Sequence, residues 1–148
     1  MAGNPNVNQG NLNRLRASLV VPSYPQLNVT ASYLGQAMMS LSFSGDGTEM
    51  IPTLVGTVTS PQPYQMASLL VNLLRTQNLA ALYKQQLESL STIGDVTVIP
   101  DASTLPNYLI HNAAIQTVRD LPITGNDAGY VVVITGYYQI NNNLWNLV

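Results

Sequence analysis

Cysteine is absent from this chain. With it go disulfide bridges, thiolate nucleophiles and thiolate metal sites, so packing and hydrogen bonds must hold the fold. Charge is almost as scarce. Asp, Glu, Lys and Arg make up 8% of the 148 residues, whereas an ordinary soluble domain carries about 25%. Five scattered basic residues and a formal charge of −2 argue against tight nucleic-acid binding, which needs clustered Lys and Arg to displace counterions from phosphates. Long apolar runs are missing too: stretches such as residues 130–135 fall far short of the roughly 20 residues that cross a bilayer, and no membrane span is expected. Residues 1–13 are polar and rich in Asn. They lack the basic start, apolar block and cleavage site of a secretory signal and read as a flexible arm.

What is present is apolar or neutral. Apolar residues make up 46% of the chain and the mean hydropathy is +0.13, which excludes general disorder and provides for one core in a single domain, residues 14–148. The polar remainder is mostly Asn, Gln, Ser and Thr. Pairing such groups loses less hydration than burying ions, so they suit strand surfaces and subunit contacts. A surface so poor in charge must be kept soluble in another way, and burial within an assembly is one.

The local pattern is mainly β with one α-helix, in a sandwich-like or barrel-like arrangement. Residues 14–21 have the β-branched and apolar content of a strand, stopped by Pro22 and Pro25. In residues 28–44 Met39, Leu41 and Phe43 alternate with Ser40, Ser42 and Ser44, the mark of a half-buried strand. The turn chemistry of residues 44–47 (SGDG) predicts a hairpin that returns over residues 50–59. Residues 66–88 look like one long helix, but wound continuously their two apolar stripes centre roughly 140° apart. A strand over 64–74 and a helix over 78–90, capped by Thr76 or Asn78, resolves the conflict. Residues 94–95 end the helical region and 96–99 form a short strand. Strands over 108–120 and 130–141 bracket the loop Thr124-Gly125-Asn126-Asp127 as a second hairpin. Two long hairpins on either side of the helix make two similar sheet units the expected layout.

No catalytic constellation emerges. His111 is the one histidine and lies in a strand pattern with no second ligand at metal spacing, which reads as structural. Asp46, Asp95, Asp101 and Asp127 sit in turn sequences, where Asp caps local amides. Gly45, Gly47, Gly56, Gly94, Gly125 and Gly129 never adopt a phosphate-cradling spacing. Asn28-Val29-Thr30 fits the glycosylation pattern, but without a secretory signal the match carries no weight. Tyr33, Tyr64, Tyr83, Tyr108, Tyr130, Tyr137, Tyr138 and Trp145 could build a sugar-binding platform, although Tyr in strands more often closes cores and interfaces. The residues thus point to a structural subunit, with no enzyme activity, cofactor or metal.

A family resemblance covers most of the length. The segments SLVVPSYPQLNVTASY, SFSGDG, GTVTSPQPYQMASLLVNLLRTQ, NLAALYKQQLES, GDVTVIPDAS and TGNDAGYVVVITGYYQINNNLW resemble the tail tube proteins of bacteriophages, particularly those of contractile tails. The resemblance implies stacked hexameric rings, in which two hairpins per subunit, here residues 28–59 and 108–141, join edge to edge with their neighbours into one barrel with the helix outside. It implies a virion location after assembly in the host cytoplasm, with sheath, baseplate and tail-terminator proteins as partners. DNA would pass through the lumen transiently and without sequence specificity. Ser40, Ser42 and Ser44 are then the channel candidates. Asn11 and Arg14, with Asp46, Thr48 and Glu49 of the first hairpin loop, are the ring-stacking candidates. The rival expectations are the tube-forming ring protein of a contractile secretion or injection system, and a monomeric carbohydrate-binding β-sandwich.

Overall fold

A computed structural model of the chain describes residues 10, 16–102, 104–121 and 123–144. Among them are eight strands and one α-helix: β1 (Ala17–Val20), β2 (Leu34–Ser44), β3 (Thr48–Pro52), β4 (Thr57–Pro61), β5 (Tyr64–Leu74), α1 (Leu79–Ser89), β6 (Thr92–Pro100), β7 (Tyr108–Asp120) and β8 (Gly129–Gln139). Six strands form one antiparallel sheet, in the order β1-β6-β7-β8-β5-β2, curled into a half-barrel. The other two, β3 and β4, form a separate ribbon. The mainly β class with one helix is as the sequence predicts. Among the described residues the six-stranded sheet and the two-stranded ribbon are not two similar sheet units.

The stretch with two apolar stripes divides where they disagree. In β5 the residues Ala67, Leu69, Val71 and Leu73 are buried at every second position, as a strand with one core face requires. The Gln77 amide then donates to the Leu74 carbonyl, turning the chain, and α1 buries Leu79, Ala80 and Tyr83 at helical spacing. Asn78 occupies the N-cap position but its side chain makes no capping bond. The core is completed by Leu19, Val21, Leu27 and Val29 near the N-terminus, Ile93, Val96 and Val98 of β6, Ile110, Ala113 and Ile115 of β7, and Val132 and Ile134 of β8. Each large aliphatic side chain fully buried there contributes on the order of 2 kcal/mol.

Tyr83 ties the helix to the N-terminal segment. Its ring is buried and its hydroxyl donates to the carbonyl of Leu27 at 2.8 Å. Burial pushes the phenol pKa well above the usual tyrosine range, because the ionised form would lose its hydration. The unfolded chain, by contrast, ionises this tyrosine near pH 10. Above that pH the unfolded state therefore binds fewer protons than the folded one, and stability falls as pH rises; below it the linkage vanishes. Tyr83→Phe should cost about 1–2 kcal/mol at neutral pH by leaving the Leu27 carbonyl unpaired, and should flatten the alkaline decline. Urea titrations of both proteins at pH 7 and pH 10.5 check this, and an unchanged alkaline slope would count against the linkage.

The first hairpin differs from expectation. Residues 28–44 do not pair with 50–59. Instead β2 pairs with β5, placing Leu41 opposite Leu69 and Phe43 opposite Ala67, and β3 pairs with β4, placing Met50 opposite Thr59. Two local causes are visible. Gly45 adopts φ +88° in the predicted turn, but residues 53–56 form a second turn that closes on itself. There the Thr53 amide donates to the Gly56 carbonyl at 2.7 Å, and the Gly56 amide donates to Thr53 Oγ1 at 3.1 Å. In addition, β5 offers the apolar face on which Met39 and Leu41 pack. The second hairpin is as expected: β7 and β8 pair along their length, with bulges in β7.

Candidate assembly surface

Residues directly opposite one another across an antiparallel ladder share a face, so the register assigns the side of the sheet remote from α1. One row runs Ser42, Ser68, Thr135, Ala114, Thr92 across five strands. The row on one side of it is Ser40, Leu70, Val133, Thr117, and that on the other is Ser44, Met66, Tyr137, His111. None of these residues is Asp, Glu, Lys or Arg. Ser40, Ser42 and Ser44 are exposed on this face, while Met39 and Leu41 on the other side pack against the core. The alternation read in residues 39–44 is therefore borne out, but Ser68, Thr135 and Thr92, which extend the hydroxyl row, were missed. Their own alternation was legible; their alignment with Ser42 depends on cross-strand register.

The sheet has two different edges. On the outer side of β2, eleven residues long and without a charged side chain, no strand lies among the described residues. The opposite edge is stepped: β1 covers residues 97–100 of β6, while no strand covers residues 92–96 on that side among the described residues. The outer side of β1 is itself capped by a bridge to Val29, with the Leu19 and Val29 amides each donating to the other's carbonyl at 2.8 Å.

The ribbon leaves the sheet where β2 ends and β5 begins. Asn141, at φ +51°, clamps its base by donating its side-chain amide to the carbonyls of Gly47 and Gln62 at 3.0 and 2.7 Å. The Ile140 amide donates to Pro63 and the Gln65 side chain to Gly45. Asp46, Thr48 and Glu49 lie at this base and are exposed. Beyond it Met50, Ile51 and Val58 are exposed, and Leu54 and Val55 at the tip are 101% and 95% exposed. Asn11 and Arg14 lie outside the described residues.

The remaining candidates take structural places. His111 is half-buried, stacks on Tyr137 at 5.3 Å and sets Nδ1 3.5 Å from Asp95 Oδ2. Asp95 Oδ1 accepts from the amide of Asn112, a residue the β7 bulge holds at φ +50°. Asp127 accepts from the Gly129 amide, and Asp101 pairs with Arg16 at 2.7 Å. Phe43, Tyr108 and Tyr138 cluster with ring separations of 5.3–6.1 Å; the two tyrosines pack on the core, while Phe43 is exposed. Tyr64 lies edge-on to Tyr137 and lines a groove of about 590 Å³ with Met66, Ala114 and Thr135. On the outer face of α1 Lys84 and Glu88 form an exposed pair at 2.7 Å, and the carboxylate raises the ammonium pKa above its usual value. Among the described residues no three His, Asp or Glu side chains gather as metal ligands would, and no helix is long and apolar enough to cross a membrane. No protein-family model matches the chain, and no curated protein matches it.

Proposed function

We propose that this chain is the structural subunit of a bacteriophage tail tube, assembling into stacked hexameric rings whose lumen conducts DNA. The observation that carries the reading is the open, uncharged β2 edge of a curled sheet. In an antiparallel edge strand about half of the N–H and C=O groups point away from the sheet. Natural monomers protect such edges with charges, prolines or covering segments. Among the described residues β1 is protected by Val29 while no strand covers the outer side of β2. Pairing part of β2 with residues 92–96 of an identical neighbour's β6 joins the two open edges, and repeating that step around an axis closes a ring.

The face remote from the helix then lines the conduit. Its rows of Ser, Thr, Ala, Leu, Val and Met side chains, with Tyr137 and His111, offer a phosphate backbone no Lys or Arg to grip, so a polyanion passes without strong contacts to break. The purified protein should form hollow filaments of uniform diameter in negative stain; a stable monomer at high concentration would sink the proposal. Thr135→Lys, on this face in the inner strand β8 and away from both sheet edges, should leave the filaments intact but make DNA release slower and dependent on salt. Ejection kinetics at two ionic strengths read this directly, and unchanged rates would remove Thr135 from the conduit.

A further inference from the structure

We propose that Asp95 and His111 form a pH-sensitive charge in the wall of the conduit: a bare carboxylate while the imidazole is neutral, a self-neutralising ion pair once it is protonated. The inference rests on the tube reading and deepens it, naming what regulates passage along the same face.

The sheet is nearly free of ionisable groups. Tyrosines apart, its six strands contain Asp95 in β6 and His111, Arg119 and Asp120 in β7. Arg119 and Asp120 close β7, whereas Asp95 and His111 meet towards its other end, with His111 Nδ1 3.5 Å from Asp95 Oδ2. They meet on the face remote from α1. His111 stands opposite Tyr137 in the row that continues through Met66 and Ser44. Asp95 lies between the buried Ile93 and Val96 and is itself exposed.

Further contacts fix both partners. Asp95 Oδ1 accepts from the amide of Asn112 in the β7 bulge, so the carboxylate reaches from one strand to the next. The imidazole stacks on the Tyr137 ring with an interplanar angle of 26°. Among the described residues, Asp95 from β6 and Tyr137 from β8 face the imidazole, and Tyr64 of β5 stands beyond Tyr137. Of these Asp95 alone is a carboxylate. The strand that ring closure would set beside residues 92–96, a neighbour's β2, contains no ionisable side chain.

Histidine is the side chain that ordinarily changes charge between about pH 5 and 8, a range in which aspartate ordinarily stays ionised. With a neutral imidazole the site is therefore anionic, and protonation makes it neutral. A ring repeats that site at one level of the wall, where low-dielectric surroundings focus its field into the lumen. Duplex DNA carries a phosphate charge about every 1.7 Å of its axis, so the carboxylates retard it and protonation of His111 relieves them. The effect reaches about 10 Å at 0.1 M salt and about 3 Å at 1 M, which makes it sensitive to ionic strength.

Timing DNA release from particles at about pH 8 and about pH 5.5 tests this. Release through wild-type tubes should be severalfold faster at the lower pH, with the difference shrinking in high salt. Asp95→Asn keeps an oxygen for the Asn112 amide but removes the carboxylate, so protonation of His111 then adds an unopposed cation for phosphates to meet. Its pH dependence should reverse. His111→Gln should show none. Equal wild-type rates at the two pH values, the wild-type sign in Asp95→Asn, or a pH dependence that survives in His111→Gln would each overturn the proposal while leaving the tube reading intact. A wild-type chain that forms no tubes would overturn both.

Discussion

Gly136→Ala is expected to lower the thermal midpoint by roughly 6–12 °C. Gly136 lies in β8 opposite Ala67 of β5. A Cβ there would stand 2.5 Å from Ile110 Cγ2, 2.7 Å from the His111 carbonyl oxygen and 3.2 Å from Ala113 Cα. Two of the three neighbours are backbone, so rotamer changes cannot relieve the clash. The cause is the bulge in β7. Between the pairs His111 with Tyr137 and Ala114 with Thr135, β7 carries one residue more than β8, and a bulge bends its strand locally. Overpacking of this kind costs about 3 kcal/mol at the upper end of its usual range, and each kcal/mol moves the midpoint of a domain this size by about 2–4 °C. Gly56→Ala is the control. A Cβ at Gly56 meets nothing within 4 Å, so that substitution should be neutral or slightly stabilising through the unfolded chain. Calorimetry of the three proteins at one concentration separates space from glycine content; equal midpoints would refute the packing argument.

The same bulges mark where sequence reading stops. Period-two burial in β5 and helical spacing in α1 were both legible, because each follows from residues close together in the chain. In the sequence Gly94 reads as punctuation before a strand at 96–99, yet it lies inside β6 at φ +77°, paired with Ala113 between two register shifts. A glycine in a bulge and a glycine in a loop look alike without the partner strand. The pairing of β2 with β5 was hidden for a related reason. The turn at residues 53–56 has no Asn-Gly or Asp-Gly signal and is held by the Thr53 hydroxyl, so the intervening ribbon read as the return strand. Of the assembly surface, the serine face of β2 could be read from alternation alone. The Ser42, Ser68, Thr135 row and the bare β2 edge are properties of the whole sheet.

Ser40→Lys combined with Ser42→Lys should weaken ring formation at least about tenfold while leaving the subunit folded. Both side chains are exposed, and Ser42 Oγ makes a long bond to the Ser68 carbonyl at 3.4 Å. Surface changes of this kind usually shift stability by no more than about 0.5 kcal/mol. Their effect on association is different. Lysines on an edge strand are the device by which monomeric sheets refuse partners, and a closed ring would multiply them around one axis. Their mutual repulsion should raise the concentration needed for assembly at least about tenfold, equivalent to about 1.4 kcal/mol or more per subunit added. Part of the loss should return in high salt, since the screening length shrinks from about 10 Å at 0.1 M to about 3 Å at 1 M. Ala81→Lys with Gln85→Lys adds the same charge on exposed positions of the helix and should assemble normally, which separates position from net charge. Light scattering across a concentration series measures all three proteins. If the strand variant assembles as readily as the helix variant, the β2 edge is not where copies meet, and the closed ring loses the interface on which it was built.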